Sequence, residues 1–268
     1  MIIFLNGKYK EATPKEIESL RPGVLNATGV FETMRVIDGS VVFLEQHFKR
    51  FKSGVSVFKL PVSYDLYAIE TKLNQVIKRN TINNGRIRLA TWISDKRICS
   101  AIVVAEIKPI GKGFKATIVS TIRNPTYYSH VKSLRYALFY NALKEAQKKG
   151  FDEAILCNDQ GFVVEGATSN IFAIKKECVL TSPVSAGCLN GITRQKVIQV
   201  ARRKGFKVKV ENITPAQLKR CDEIFITNAV VGIMPIVNID GVVKGMSFNN
   251  TTQILRNAYN QELKVAVV

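Results

Sequence analysis

Lys132, in the stretch HVKSLRYALFYNA (130–142), comes just before residues with helical spacing. A lysine amine becomes a nucleophile and a proton carrier once it is neutral, and neighbouring cationic groups favour the neutral form. Taken alone, a lysine before a helix is more often a solvated charge. Segments elsewhere in the chain change that balance. Glu165 stands in VVEGATSNIF, between Val163, Val164, Gly166 and Ala167, an odd neighbourhood for a surface ion pair. LNGITRQKVIQVARRKG starts a helix at Gly191-Ile192-Thr193. The unbonded N–H groups and the dipole of such a start can hold a phosphate, and Thr193 adds a hydroxyl. Upstream, EQHFKRF sets His47 and Arg50 three residues apart on one helical face, where the arginine could clamp an anion or lie on the surface.

These side chains need elements to hold them. MIIFLNGKYK reads as two strands joined at Asn6-Gly7, and GVFETMRVIDGSVVFLEQHFKRF as strand, Asp38-Gly39 turn, strand, then a helix from Leu44. Leu66, Ile69, Leu73, Val76 and Ile77 recur at a helical period, and RIRLATWI, SAIVVAEI and FKATIVSTI follow as strands. The polar, proline-containing RNPTYYSHV interrupts the pattern. A small N-terminal α/β domain is therefore expected over 1–122, a linker over 123–131 and a larger C-terminal domain over 132–268. In the latter, LRYALFYNALKEAQKKG is a helix stopped by glycine, and residues 152–182 read as a meander of three strands. GITRQKVIQVARRKG gives a second helix and FKVKVENI a strand. TPAQLKRC is a short helix opened by Thr214 and Pro215, Asp240-Gly241 marks a hairpin, and FNNTTQILRNAYNQEL closes the chain as a helix. The fold class is α+β.

Composition narrows the function classes. With 268 residues and 46% hydrophobic content, the chain can bury a substantial core. No apolar run approaches the roughly 20 residues that span a bilayer, and the apolar opening is too short for a secretory signal. A soluble, cytoplasmic protein is expected. Five scattered cysteines without a CxxC pair, and only two histidines, argue against a zinc site, a disulfide framework or a Ser-His-Asp triad. The net charge of +18 makes nucleic acid a rival ligand. The basic residues are, however, spread over helix ends and strand faces without interleaved aromatics, which argues against it.

In this order and spacing, KSLRY, DEAILCNDQGFVVEGATSNIF, LNGITRQ and FITNAVVGIMPI, with FETMRVIDG and FLEQHFKRF upstream, resemble the fold-type IV pyridoxal-phosphate enzymes. That family includes branched-chain aminotransferase, D-amino-acid aminotransferase and 4-amino-4-deoxychorismate lyase. The resemblance implies a two-domain fold of the D-amino-acid aminotransferase kind, with pyridoxal 5'-phosphate in the cleft between the domains and the C-terminal domain as its main holder. On matching positions it implies that Lys132 forms the Schiff base and that Glu165 keeps the pyridine nitrogen protonated. Arg50, Ile192 and Thr193 would hold the phosphate, Asn228 and Ala229 would bring backbone to it, and Tyr136 would bond the phenolic oxygen. Phe31 falls at a substrate-pocket position where D-amino-acid aminotransferases place a tyrosine. Arg88 and Arg97 are candidates, by position, for the substrate carboxylate. TNAVVGIMPI and LNGITRQ look most like the lyases, so the expected reaction converts 4-amino-4-deoxychorismate to 4-aminobenzoate and pyruvate, in folate biosynthesis. The alternative is transamination of branched-chain or D-amino acids with 2-oxoglutarate. A loop from a second subunit completes the family's site, which implies a homodimer.

Overall fold

The computed structural model describes residues 1–20, 27–107, 111–244 and 251–266. The chain divides into two compact units, one made of Met1–Pro109, Val131–Ala137 and Leu263–Val268, the other of Ile110–His130 and Leu138–Glu262.

The first unit contains β1 (Ile2–Leu5), β2 (Lys8–Glu11), α1 (Pro14–Ser19), β3 (Gly29–Ile37), β4 (Ser40–Val41), α2 (Leu44–Val57), α3 (Leu66–Arg79), β5 (Gly85–Ser94) and β6 (Arg97–Glu106). Its strands form an antiparallel sheet in the order β2-β1-β6-β5-β3-β4. The Asn6-Gly7 and Asp38-Gly39 pairs take positive φ at both residues, as a two-residue hairpin turn requires. Side chains alternate across β3. Val30, Met34 and Val36 pack with Phe51 and Val55 of α2 and with Ile69, Leu73, Val76 and Ile77 of α3. Phe31 packs on the other face with Ala90, Trp92, Ala101 and Leu134. Asp65 caps α3, its Oδ2 accepting the Ala68 N–H at 2.9 Å.

The second unit holds β7 (Phe114–Ile122), α4 (Ala137–Lys148), β8 (Glu153–Cys157), β9 (Val163–Gly166), β10 (Asn170–Lys175), β11 (Cys178–Thr181), α5 (Ile192–Arg203) and β12 (Val208–Val210). It continues with α6 (Pro215–Lys219), β13 (Glu223–Asn228), β14 (Gly232–Ile239), β15 (Val242–Val243) and α7 (Thr251–Val265). The sheet runs β12-β11-β10-β13-β14-β7-β8-β9, with β15 on β14. Thr214 and Gln217 form a reciprocal capping box on α6.

Three sequence expectations need correction. The boundary at Ile122 fails because β7 lies between β8 and β14 in the second sheet, parallel to both, and so belongs to the second unit. The segment 132–137, expected to open the C-terminal domain, pairs with β3 and belongs with Val131 to the first unit. The meander over 152–182 has four strands. The backbone turns at Gly166–Ser169, so β9 pairs with β8 while β10 pairs with β11 and β13. Among the described residues, no helix is long and apolar enough to cross a membrane.

Candidate active site

Backbone pairing, not a helix start, places Lys132. The Phe31 N–H donates to the Lys132 carbonyl at 3.0 Å, and the Leu134 N–H to the Gly29 carbonyl at 2.9 Å. Val30 and Ser133 form an antiparallel bridge between them. The half-buried Lys132 then carries its Nζ over the Phe31 ring, 4.6 Å from the centroid. Arg88, half-buried on β5, sets its guanidinium 4.8 Å from the same ring. Tyr136 meets Phe31 edge-on, with centroids 5.7 Å apart. Three sequence-selected residues thus surround the Phe31 ring, two of them cations of the kind that an aromatic face attracts.

Arg97 is not part of that group. It begins β6, is exposed, and pairs with Ser94 across the hairpin end. Arg88 lies six strand positions back from Ser94, roughly 20 Å at strand rise.

On the opposite face of β3 sits a residue that the sequence reading left without a role. Glu32 is completely buried. Arg50 donates through Nε to its Oε1 and through Nη2 to its Oε2, both at 2.7 Å. His47 Nδ1 lies 2.7 Å from the same Oε2. Burial alone would raise the Glu32 pKa, but the charge and hydrogen bonds of Arg50, aided by His47, hold it at about 2. His47 is itself lowered, first by burial and further by the charges of Arg50 and Lys132, against the opposing pull of Glu32. Because an ionised carboxylate only accepts, Nδ1 carries the hydrogen. The signal was available in FETMR: an acid among apolar strand residues, upstream of a helical His/Arg pair.

In the second unit, Glu165, next to last in β9, is almost fully buried. Arg123 Nε donates to its Oε1 at 3.3 Å and the Leu189 N–H to its Oε2 at 3.0 Å. Cys188 adjoins this group, its thiol pushed up to about 11 by burial first and by the Glu165 charge second. Glu153, another buried acid without an earlier assignment, braces the turn after Glu165. It accepts the Thr168 hydroxyl at 2.6 Å and the Ser169 hydroxyl at 2.8 Å. Burial outweighs those bonds and raises its pKa. Gly166 is required here, since a Cβ would strike the Ser169 hydroxyl.

The helix α5 starts at Ile192, and Ile192 and Thr193 are both buried. Gly191 caps it with no side-chain bond, and a Cβ there would overlap the Asn170 side chain. The first ladder bond is from the Gln195 N–H to the Gly191 carbonyl at 2.9 Å. The N–H groups of Ile192, Thr193 and Arg194 thus have no carbonyl partner within the helix. Arg194 adds a buried cation in that turn, anchored on the Ser182 carbonyl at 2.9 Å, its Nε–H without a partner.

Asn228 and Ala229 lie at the turn from β13 to β14. The Asn228 Oδ1 accepts the Val230 and Val231 N–H groups at 2.9 Å, and its Nδ2 donates to the Thr168 carbonyl at 3.3 Å. The asparagine side chain shapes the turn, so the segment presents backbone rather than a side-chain amide.

The family model for amino-transferase class IV matches residues 29–239. A Methanocaldococcus jannaschii protein named for branched-chain-amino-acid aminotransferase activity is 31% identical, over 97% of this chain and 95% of its own. The Bacillus subtilis aminodeoxychorismate lyase is 28% identical, over 98% and 95%. Among solved structures, the branched-chain aminotransferase of Thermoproteus uzoniensis with norvaline superposes with a TM-score of 0.88 at 27% identity, covering 98% of this chain and 95% of that one.

Proposed function

The chain belongs to the class IV aminotransferase family, and from that premise we propose that it exchanges the amino group of a branched-chain amino acid with 2-oxoglutarate. As an enzyme of this family it uses pyridoxal 5'-phosphate. The residues fit that cofactor: a buried carboxylate at Glu165, a side-chain-free helix start at Gly191 and the amine of Lys132. The observation that carries the substrate reading is the similarity to the Methanocaldococcus jannaschii protein across nearly all of both chains. It displaces the lyase from first place. The apolar faces of Phe31 and Tyr136 support it, because they suit an aliphatic side chain.

The cofactor supplies an electrophilic carbon and an electron sink. The chain supplies the rest. Lys132 would hold the cofactor through Nζ, and its amine would carry the proton at the substrate α-carbon. Glu165, fixed by Arg123 and Leu189, holds a proton at the ring nitrogen. Arg50, the α5 N–H groups, the Thr193 hydroxyl and the Ala229 backbone hold the phosphate, and Tyr136 bonds the phenolic oxygen. Arg88 receives the substrate carboxylate beside Phe31. A second subunit completes the site, making the enzyme a homodimer.

Purified enzyme should form glutamate from 2-oxoglutarate with L-leucine, L-isoleucine or L-valine, and show little activity with D-alanine. The second reading is the lyase, favoured by LNGITRQ, TNAVVGIMPI and the Bacillus subtilis relative. Pyruvate released from 4-amino-4-deoxychorismate without an amino acceptor would establish it and overturn the transaminase. The two arginine candidates also separate. Arg88→Gln should raise the KM for 2-oxoglutarate by about 10- to 100-fold, the loss of one charge-assisted bond. Arg97→Gln should leave it within about twofold, as expected of an exposed charge. The reverse pattern in steady-state kinetics would exchange their roles.

A further inference from the structure

We infer that Glu32 is a positioning residue, which locks the Arg50 guanidinium in the orientation that receives the cofactor phosphate. The inference rests on the reading, made above, that Arg50 meets that phosphate. An acid is an expensive choice for this site. Glu32 lies on the β3 face beside Met34 and Leu89, where an apolar side chain would pack without desolvating a charge. What only a carboxylate provides there is a bidentate acceptor matched to the planar guanidinium fork.

The geometry uses that property fully. Arg50 commits Nε and Nη2 to the two Glu32 oxygens at equal distances of 2.7 Å, which fixes both the plane of the guanidinium and its rotation. His47, one helical turn earlier on α2, bonds Oε2 and keeps the carboxylate from swinging. His47 is only 2% exposed and Glu32 is fully buried, so these two groups are held by packing as well as by hydrogen bonds. The Glu32–Arg50 pair has no net charge. The clamp therefore works through aimed donors more than through a loose positive charge, and its contribution depends on aim. Strand alternation explains why the acid comes from this position. Glu32 points to α2, while its neighbour Phe31 points to Lys132 on the other face, so one stretch of β3 sets both.

The test is a comparison of two ligands that differ in the phosphate. Full-length protein stripped of cofactor is titrated with pyridoxal 5'-phosphate and with pyridoxal, and binding is followed by absorbance and fluorescence. Glu32→Gln, whose amide offers one acceptor and places an NH₂ against the guanidinium, should weaken pyridoxal 5'-phosphate by about tenfold and leave pyridoxal unchanged. Arg50→Lys keeps the charge but loses the fork, and should show the same selective loss with Glu32 intact. It serves as the second variant if Glu32→Gln fails to fold by circular dichroism. In an Arg50→Ala background, Glu32→Gln should cost nothing further. Equal weakening of both ligands, or undiminished preference for the phosphorylated one in Glu32→Gln and Arg50→Lys, overturns the inference. If Arg50→Ala itself keeps the wild-type preference, the reading of Arg50 as a phosphate ligand has failed instead.

Discussion

Lys132→Ala is expected to abolish turnover and to unfold within a few degrees of the parent. The two halves of that expectation come from different atoms of the same residue. Its backbone carries structure, since the Lys132 carbonyl accepts the Phe31 N–H at 3.0 Å and the neighbouring Val30–Ser133 bridge closes the edge of β3. Alanine keeps all of this. Its side chain carries chemistry, being only half-buried and resting on one aromatic face. Loss of the proton carrier alone should cost about 10²- to 10⁴-fold, and loss of the nucleophile adds to it. The variant should therefore fall below detection in a coupled glutamate assay while its far-ultraviolet circular dichroism is unchanged. Borohydride reduction of the parent enzyme, followed by peptide mapping, should place the pyridoxyl group on Lys132. A label on another lysine would sink the assignment.

Glu165→Gln should bind cofactor and lose most of its activity. The amide oxygen can still accept the Leu189 N–H, so the local backbone survives. An amide cannot hold the ring nitrogen protonated, and beside Arg123 its NH₂ faces a cation where the carboxylate had accepted a bond. Removing a preorganised charge of this kind costs on the order of 2–4 kcal/mol in the barrier, or roughly 30- to 1000-fold in kcat. Single-turnover rates would measure it. Turnover near that of the parent would show that another group holds the nitrogen.

What the sequence made legible was local. Asn6-Gly7, Asp38-Gly39 and Asp240-Gly241 each take the positive-φ pair that their composition predicts, and Thr214 caps α6 ahead of Pro215. The helix start of α5 was readable for the same reason, because Gly191-Ile192-Thr193 is one continuous stretch. The domain boundary was not. β7 looks like any other strand in composition, and its membership is decided by parallel partners, β8 and β14, that come later in the chain. Parallel pairing leaves no hairpin signal at the strand ends. Glu32 and Glu153 escaped for a related reason. Each has its meaning from partners on other elements, Arg50 and His47 for one and Thr168 and Ser169 for the other, and an isolated acid in a strand does not announce them.

The pairing of residues 131–134 with β3 also bears on how the protein is made. A growing chain that has emerged from the ribosome only as far as Ile122 holds β1 to β6 but not the segment that covers the first residues of β3. The backbone groups of Gly29 and Phe31 that later bond Leu134 and Lys132 are then an open strand edge, a template for unwanted pairing with another chain. The first unit thus cannot finish folding in strict order of synthesis. It waits for a strap that arrives after β7 has already been translated, and the strap that relieves the hazard is the one that carries Lys132.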